Sequence, residues 1–544
     1  MRDIYTQITQ KISQEKSTSL KKDASNSCDI LLVGYEDEEN MGLRYIAAYL
    51  KDHNVRAEIE PYRKSARDAI LERIRKERPE IVGFSLIFQR MLPDFKGLIE
   101  YLRDNGVNAH FTIGGHFPTI ESYKILEMIP GLDTVVRHEG EETLLELYRN
   151  LNNPDFWQQI KGIAFRTANN IKVTTPRPLI MDLDSLPFPV RNDELMTHMG
   201  LGLASILTSR GCYYDCTFCS IREFYSDAPG PRRRTRSPGN VVTELTQLFE
   251  KGVRIFNFRD DDFSLKRGQW IEDFARELEK TGLSDQILWR VSCRVDEIDA
   301  EMVSMLKAVG LSFIYLGIES GCSQGLKTFN KHYKLNELYR TLEILEKTKM
   351  NFEYGFMLLD PDTNFNSVKD NILFLKELGK GGRVVVHFTK MLPYAGTPIA
   401  LKLKEEGRLR GTIDSPDYSY VDPRVNLLEV FLSQSFNHMF FEPEGLVHRL
   451  QSAQFNSIVF DKFFYYQFDV GAYSESLKNL IKKCNDHTLD TISLAEKFME
   501  ENSYQDILNN RDVLKELTEK SLKTQSIMEA ELDNLNPAEM WSYS

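Results

Sequence analysis

Between residues 28 and 151, short apolar runs alternate with stretches whose apolar residues recur at helical spacing. CDILLVGY (28–35) reads as a buried strand, and MGLRYIAAYLKDHN (41–54) as an amphipathic helix. RAEIEPY (56–62) alternates as a strand does, and ARDAILERIRKERP (66–79) is a helix stopped by Pro79. EIVGFSL (80–86) and NAHFTIGG (108–115) are strands on either side of PDFKGLIEYLRDNG (93–106), a helix punctuated by Pro and Gly. A helix at 119–130, the strand DTVVRHEG (133–140) and a helix at 141–151 complete the series. Five strands alternating with helices predict an α/β domain with a parallel, doubly wound sheet.

A second alternation starts near residue 203. Its predicted strands are LASILTSR (203–210), VRIFNFRDD (253–261), ILWRVSCR (287–294), FIYLGIES (313–320), NFEYGFMLL (351–359) and RVVVHFTKML (383–392), with helices between them. Eight such units close a full barrel; six predict a partial, open (β/α)6 barrel whose working end is the carboxyl end of its strands. Between the two domains lies a connector, 153–200, with a hairpin over 161–174 turning at Asn169-Asn170 and a Pro-rich strap at 183–193. After residue 400 the alternation stops. Residues 427–441, 474–502 and 511–533 look helical, and the aromatic stretch 455–474 reads as core or as a pocket wall. The expected organisation is an arm (1–27), a first domain (28–152), the connector, a barrel (201–400) and a helical cap (401–544).

Length and charge narrow the classes. At about 150 residues per domain, 544 residues suit three or four domains. Lys plus Arg is 68 against 80 for Asp plus Glu, a net charge of −12, which is a poor match to general nucleic-acid binding. One basic run, Arg232-Arg233-Arg234-Thr235-Arg236, is either a solvated loop or an anchor for carboxylate or phosphate. No run of 18 apolar residues predicts a membrane span, and residues 1–27 have no apolar core of a secretory signal. Seven cysteines, an odd count with three clustered, suit a reducing cytosol rather than a disulfide framework.

Candidate chemistry gathers at the strand ends. In the first domain these carry Gly83 and Ser85, then Gly114-Gly115 of GGHFPT, then Glu139, Gly140 and Glu141 of EGEET. A pair of glycines lets the backbone approach a bulky ligand; the plainer reading is tight loops and a helix start. In the barrel, SRGCYYDCTFCSIREFY (209–225) follows the first strand and holds Cys212, Cys216 and Cys219. Three soft thiolates suit zinc, with His198 as a possible fourth ligand, or an iron–sulfur cluster with one iron left open. Later strand ends offer Asp260-Asp261-Asp262, then Ser292 and Arg294, then Glu319, then Asp360-Pro361-Asp362. Cys293, Cys322 and Cys484 read as packed core thiols.

Two family resemblances rest on these residues. GLRYIAAYL, IVGFS, IGGHFPT and VVRHEGEETL, in that order, resemble the cobalamin-binding domain at the N-terminus of many radical S-adenosylmethionine (SAM) enzymes, over about 28–152. The resemblance implies cobalamin contacts at Gly83, Ser85, Gly114, Gly115, Glu139, Gly140 and Glu141. The Asp-x-His-x-x-Gly motif of other cobalamin domains is absent, so LIFQRM (86–91), with Gln89, is the segment expected to face cobalt. Cys-x3-Cys-x2-Cys with Phe218 before the last thiol, after the first barrel strand, resembles the radical SAM signature, over about 203–398. That likeness implies a 4Fe-4S cluster on the three cysteines. It implies SAM contacts at Phe218, Asp262, Ser292, Arg294 and Glu319, with Asp262 on the SAM amino group. RTRSP (234–238) recurs in the cobalamin-dependent branch, which singles out Arg236.

Together the resemblances imply a cytoplasmic methyltransferase that moves a methyl group from methylcobalamin to carbon or phosphorus of a small-molecule or peptide substrate. A 5′-deoxyadenosyl radical would activate the substrate, and an external electron donor of the flavodoxin or ferredoxin type would supply the cluster. Two rivals remain: a non-methylating cyclase, rearrangement or oxidation enzyme, and a non-catalytic cobalamin or iron–sulfur sensor. No RNA-binding module is recognisable.

Overall fold

The computed structural model describes residues 28–168, 170–465 and 470–535. The expected arm 1–27, Asn169 at the hairpin turn and residues 466–469 of the aromatic stretch lie outside them. The chain forms two compact units. Of the described residues, one comprises those up to Ile87 with Leu92–Pro118 and Ser122–Thr175; the other comprises Phe88–Met91, Thr119–Glu121 and those from Pro176 onward.

The first unit is built on a seven-stranded sheet of β1 (Ile30–Gly34), β2 (Ala57–Pro61), β3 (Ile81–Ser85), β4 (His110–Gly114), β5 (Thr134–Val136), β6 (Ile163–Arg166) and β7 (Ile171–Val173). Its order is β2-β1-β3-β4-β5-β6-β7, and β1 to β5 run parallel. Strands buried on both faces explain the continuous apolar runs, since helices cover each side. The order reverses between β1 and β3, where Gly34 pairs with Ser85. The hairpin expected in the connector instead completes this sheet: β6 pairs antiparallel with β5, and Ile163, Ala164 and Phe165 are buried. An edge strand as short as β5 leaves apolar surface that a hairpin covers.

The second unit holds another seven-stranded sheet. Its strands are β8 (Met196–His198) and β9 (Leu201–Ile206), then, after the two-residue ladder of β10 (Ser209–Arg210) with β11 (Arg234–Thr235), β12 (Val253–Phe258), β13 (Leu288–Arg294), β14 (Leu311–Glu319), β15 (Asn351–Leu359) and β16 (Thr389–Lys390). The order β16-β15-β14-β13-β12-β9-β8 gives the six expected parallel strands, with β8 added antiparallel at one edge. This is an open half-barrel. Residues such as Trp289, Val291, Ile314, Leu316, Tyr354 and Phe356 face outward into the helices and are buried. The inner face is floored by the helix Leu446–Phe463, whose Val459 and Phe455 pack with Leu203, Ile255 and Leu288.

The sixth strand is shorter than its apolar run predicts. Val384, Val385 and Val386 are buried, but only Thr389–Lys390 joins the ladder. The buried side chain of Asn485, from the helix Val470–Glu501, replaces a strand here. Its Oδ1 accepts from Val386 N–H at 2.8 Å, and its Nδ2 donates to the carbonyls of Gly379 (3.0 Å) and Val384 (2.9 Å). Asn485→Ala leaves these backbone groups unpaired and is expected to cost about 2–4 kcal/mol, seen as a lower urea midpoint. Helices at Pro423–Phe441, Val470–Glu501 and Arg511–Asn534 match the predicted cap. Cys293, Cys322 and Cys484 are buried, as packed core thiols should be. Among the described residues, no helix is long and apolar enough to cross a membrane.

Candidate active site

The three-cysteine loop leaves β9 at the carboxyl end of the half-barrel and is pinned by acids from the end of β12. Asp260 accepts from Thr208 N–H (3.1 Å), Thr208 Oγ1 (2.7 Å) and Ser209 Oγ. Asp261 accepts from Gly211 N–H at 2.8 Å. From the other side, Thr217 Oγ1 donates to the Thr328 carbonyl, Thr217 N–H to the Phe329 carbonyl, and His332 pairs with Asp215. A loop held this tightly presents its thiols in a preset geometry.

Cys216 is buried, Cys212 and Cys219 are partly exposed, and all three are free thiols. Burial pushes Cys212 and Cys219 up to about 12, with Asp262 adding to the effect at Cys212. A soft metal must therefore displace protons to bind. His198 is not a fourth ligand. It lies at the opposite end of β9, pairing with Leu201, and its Nε2 meets Asn456 Oδ1 at 2.8 Å. Among the described residues, no three His, Cys, Asp or Glu side chains converge on a single ion. Three separate thiols on one loop suit a cluster that takes one thiolate per iron, and not a closed zinc site.

The aspartate triplet divides its labour. Asp260 and Asp261 spend their oxygens on the loop, whereas Asp262 points at the thiols, its Oδ2 lying 3.9 Å from Cys212 Sγ. Asp262 Oδ1 is buried and has no hydrogen-bond partner. Burial, then the facing carboxyl of Glu297, raises Asp262 to about 7. Glu297 is itself buried and accepts from Tyr214 Oη at 2.8 Å, while its Oε2 also lacks a partner. Two buried carboxyls with spare acceptors beside a thiol loop await a cation or a strong donor.

The other predicted residues surround this point. Arg294, at the end of β13, donates from Nη1 to Cys216 Sγ at 3.3 Å and from Nε to Asp296 at 2.9 Å. Its guanidinium lies 3.6 Å over the Tyr214 ring, and its Nη2 meets the Lys331 carbonyl. Glu319 ends β14 with φ +65, a left-handed conformation that is strained for a residue with a Cβ. Burial raises its carboxyl, opposed by Lys331 Nζ at 3.4 Å. Ser292 faces the inner side of β13, half-buried. Phe218 packs edge-on against Phe329, 5.3 Å between centroids. Arg236 instead serves the scaffold: it joins Arg191 on the buried Glu244. Glu297, Tyr214 and Lys331 were not singled out from sequence. Glu297 stands in CRVDE beside Arg294, and that proximity was the available signal.

In the first unit, Ser85 and Gly114 pair in register at the carboxyl edge, beside the switch point, and Asn40 Nδ2 reaches Ser85 Oγ at 3.3 Å. Gly115 takes φ +112, and a Cβ there would lie 2.5 Å from the Leu86 carbonyl. Gly83 sits two residues inside the strand end, and Gly140 against Ile46, so internal packing already accounts for both. Glu141 is buried in the first turn of the helix Glu141–Asn150, next to the half-buried Glu139. Gln89 follows the end of β3 by four residues. It belongs to the second unit, where its Oε1 accepts from Ala395 N–H at 2.8 Å.

Comparison with known proteins agrees with both units. The B12 binding domain model matches residues 28–148, and the Radical SAM superfamily model matches 206–375. An uncharacterized methyltransferase of Pyrococcus horikoshii is 27% identical over 404 residues, covering 73% of this chain and 85% of that protein. An anaerobic magnesium-protoporphyrin IX monomethyl ester cyclase of Cereibacter sphaeroides is 27% identical over 367 residues, 65% of this chain but only 58% of the cyclase. The solved structure of the cobalamin-dependent S-adenosylmethionine radical enzyme OxsB with aqua-cobalamin shares the fold. Its TM-score is 0.69 at 16% identity, over 94% of this chain and 84% of that one. The chain belongs to the cobalamin-dependent radical SAM enzymes. Its cofactors are cobalamin, SAM and a 4Fe-4S cluster.

Proposed function

We propose that this enzyme is a methyltransferase acting on an unactivated carbon, or on phosphorus, of a small molecule or peptide. The supporting observation is the union, in one chain, of a B12 binding domain with a half-barrel whose thiol loop faces a buried carboxyl, Asp262, with one oxygen unpartnered. The name of the Pyrococcus relative, of which this chain spans 85%, points the same way. When bound, the cofactors supply a hydrogen-abstracting radical and a methyl carrier.

The residues do the rest. Cys212, Cys216 and Cys219 would hold the cluster, and Asp262, with its unpartnered Oδ1, would accept from the SAM ammonium group. Glu319, Ser292, Arg294 and Phe218 frame the remainder of SAM. Ser85, Gly114 and Gly115, with Glu139 and Glu141 nearby, line the cobalamin site, and Gly83 and Gly140 let its strands and helices pack. The electron comes from a low-potential protein of the flavodoxin or ferredoxin type.

Anaerobic incubation of the reconstituted enzyme with cobalamin, SAM and reductant tests this reading. S-adenosylhomocysteine should accumulate together with 5′-deoxyadenosine. Formation of 5′-deoxyadenosine alone would exclude methyl transfer and favour the second reading, a cyclisation, which the cyclase relative supports. Product mass separates the two, because only methylation adds a methyl group.

A further inference from the structure

The inner face of the half-barrel is layered by strand register. In the lowest layer Asn257 pairs with Arg290 and Arg290 with Phe313. Arg290 is held there by Asn257 Oδ1 and lies 5.7 Å over the Phe455 ring, while Phe313 meets Phe455 edge-on. This floor is apolar apart from Arg290, whose guanidinium is held by Asn257 and Phe455 and forms no ion pair with Glu353 within 4 Å. One step up, Ser292 pairs with Tyr315 and Tyr315 with Glu353, so three polar side chains cross three adjacent strands in a row. In the next layer Arg294 pairs with Gly317 and Gly317 with Gly355. The two glycines make room in that layer for neighbouring side chains: a Cβ on Gly355 would meet Tyr315 Oη at 2.8 Å and Glu319 Oε2 at 3.3 Å, and one on Gly317 would meet Glu319 Oε1 at 2.8 Å. The middle row therefore lies directly below the acid of the SAM end.

Glu353 is half-buried on this inner face and has no hydrogen bond or ion pair among the described residues. Burial raises its carboxyl, opposed by Arg290. Tyr315 is 42% exposed, yet burial raises its phenol well above the usual range. An exposed ring on the inner face of the half-barrel borders open space there. The other carboxylate in reach, Glu319, already has Lys331. An unpaired carboxylate in such a place is costly and is relieved by a cation.

We propose that Tyr315 and Glu353, beside the SAM contact Ser292, form the substrate site, and that it takes a small molecule with an apolar body and a protonated amine set against Glu353. The apolar body rests on Phe313 and Phe455. The inference depends on the half-barrel being the reaction chamber, but not on methylation being the outcome.

The test is equilibrium binding to the reconstituted, cobalamin-loaded enzyme without reductant, so that turnover plays no part. The probes are phenethylamine, phenethyl alcohol and 3-phenylpropionate, read by saturation-transfer NMR. Phenethylamine should bind at least about tenfold more tightly than the other two, the worth of one charge-assisted hydrogen bond. Glu353→Gln, with iron and cobalamin content unchanged, should erase that preference. No binding of the amine, equal binding of the acid, or a preference that survives Glu353→Gln would overturn the proposal. The head-group preference is read on the unaltered protein, so it decides the matter even if the variant fails to load its cofactors. Loss of S-adenosylhomocysteine formation would sink the methyltransferase reading and leave this result untouched.

Discussion

Cys216→Ala should abolish 5′-deoxyadenosine formation while leaving cobalamin bound. Cys216 is the most buried of the three loop thiols, and Arg294 Nη1 approaches its sulfur at 3.3 Å. A cation placed there stabilises a thiolate, and a cluster needs thiolates. With two thiols left, the cluster loses one of its three thiolate anchors. Arg294 is then left beside an alanine, close to the engaged Asp296 and the Tyr214 ring, so the scaffold around it stands. The B12 binding domain is built on a different sheet from a different stretch of chain. Mass spectrometry for 5′-deoxyadenosine and the visible spectrum of bound cobalamin give the two readouts. Retained 5′-deoxyadenosine would mean that the cluster is held elsewhere. Loss of cobalamin would mean that the loop is needed to fold the chain. Retained cobalamin with no 5′-deoxyadenosine also disposes of the sensor rival, provided that the unaltered protein forms it.

The two alternations were legible because parallel strands covered on both faces leave continuous apolar runs, which no loop imitates for long. What the pattern concealed was pairing at a distance. The residues of β6 and β7 announce a hairpin, but nothing in 161–174 says that its partner is β5, so it passes for a connector. The apolar run RVVVHF announces a strand, because burial is visible in sequence. That a single Asn about 100 residues downstream satisfies its backbone is not visible. The division of labour among charges is hidden for a related reason. Asp260, Asp261 and Asp262 are identical letters, and only packing decides that two of them tie down the loop while the third faces the thiols. Glu297 and Lys331 carry no distinguishing signal in sequence; the fold buries them to 3% exposure, where each must be answered by a partner or a ligand. The site was therefore legible where chemistry demands a rare residue type, as at the cysteines. It was illegible where a common charge becomes functional through burial.

Gly211→Ala should cost the enzyme its cluster almost as completely as removing a cysteine, although it removes no ligand. Gly211 precedes Cys212 and takes φ +81, a region that favours glycine. A Cβ built there would lie 1.9 Å from the Arg232 carbonyl oxygen. That oxygen is backbone, in the segment leading to β11, which pairs with β10 just before the loop, so it has little freedom to retreat. The loop must move instead. Moving it breaks the Gly211 N–H bond to Asp261 and displaces Cys212 from its place beside Asp262. A shift of about 1 Å in a preset site is enough to cost two orders of magnitude in function. Iron and acid-labile sulfide per chain after reconstitution should fall to a small fraction of the unaltered protein. Gly239→Ala is the matched control. It lies in the helix Pro238–Glu250, where an added Cβ meets nothing within 4 Å, so iron content should be unchanged and stability equal or slightly higher. Were both variants to load iron normally, the rigidity assigned to the thiol loop would be wrong, and its cysteines would have to find the cluster by adapting to it.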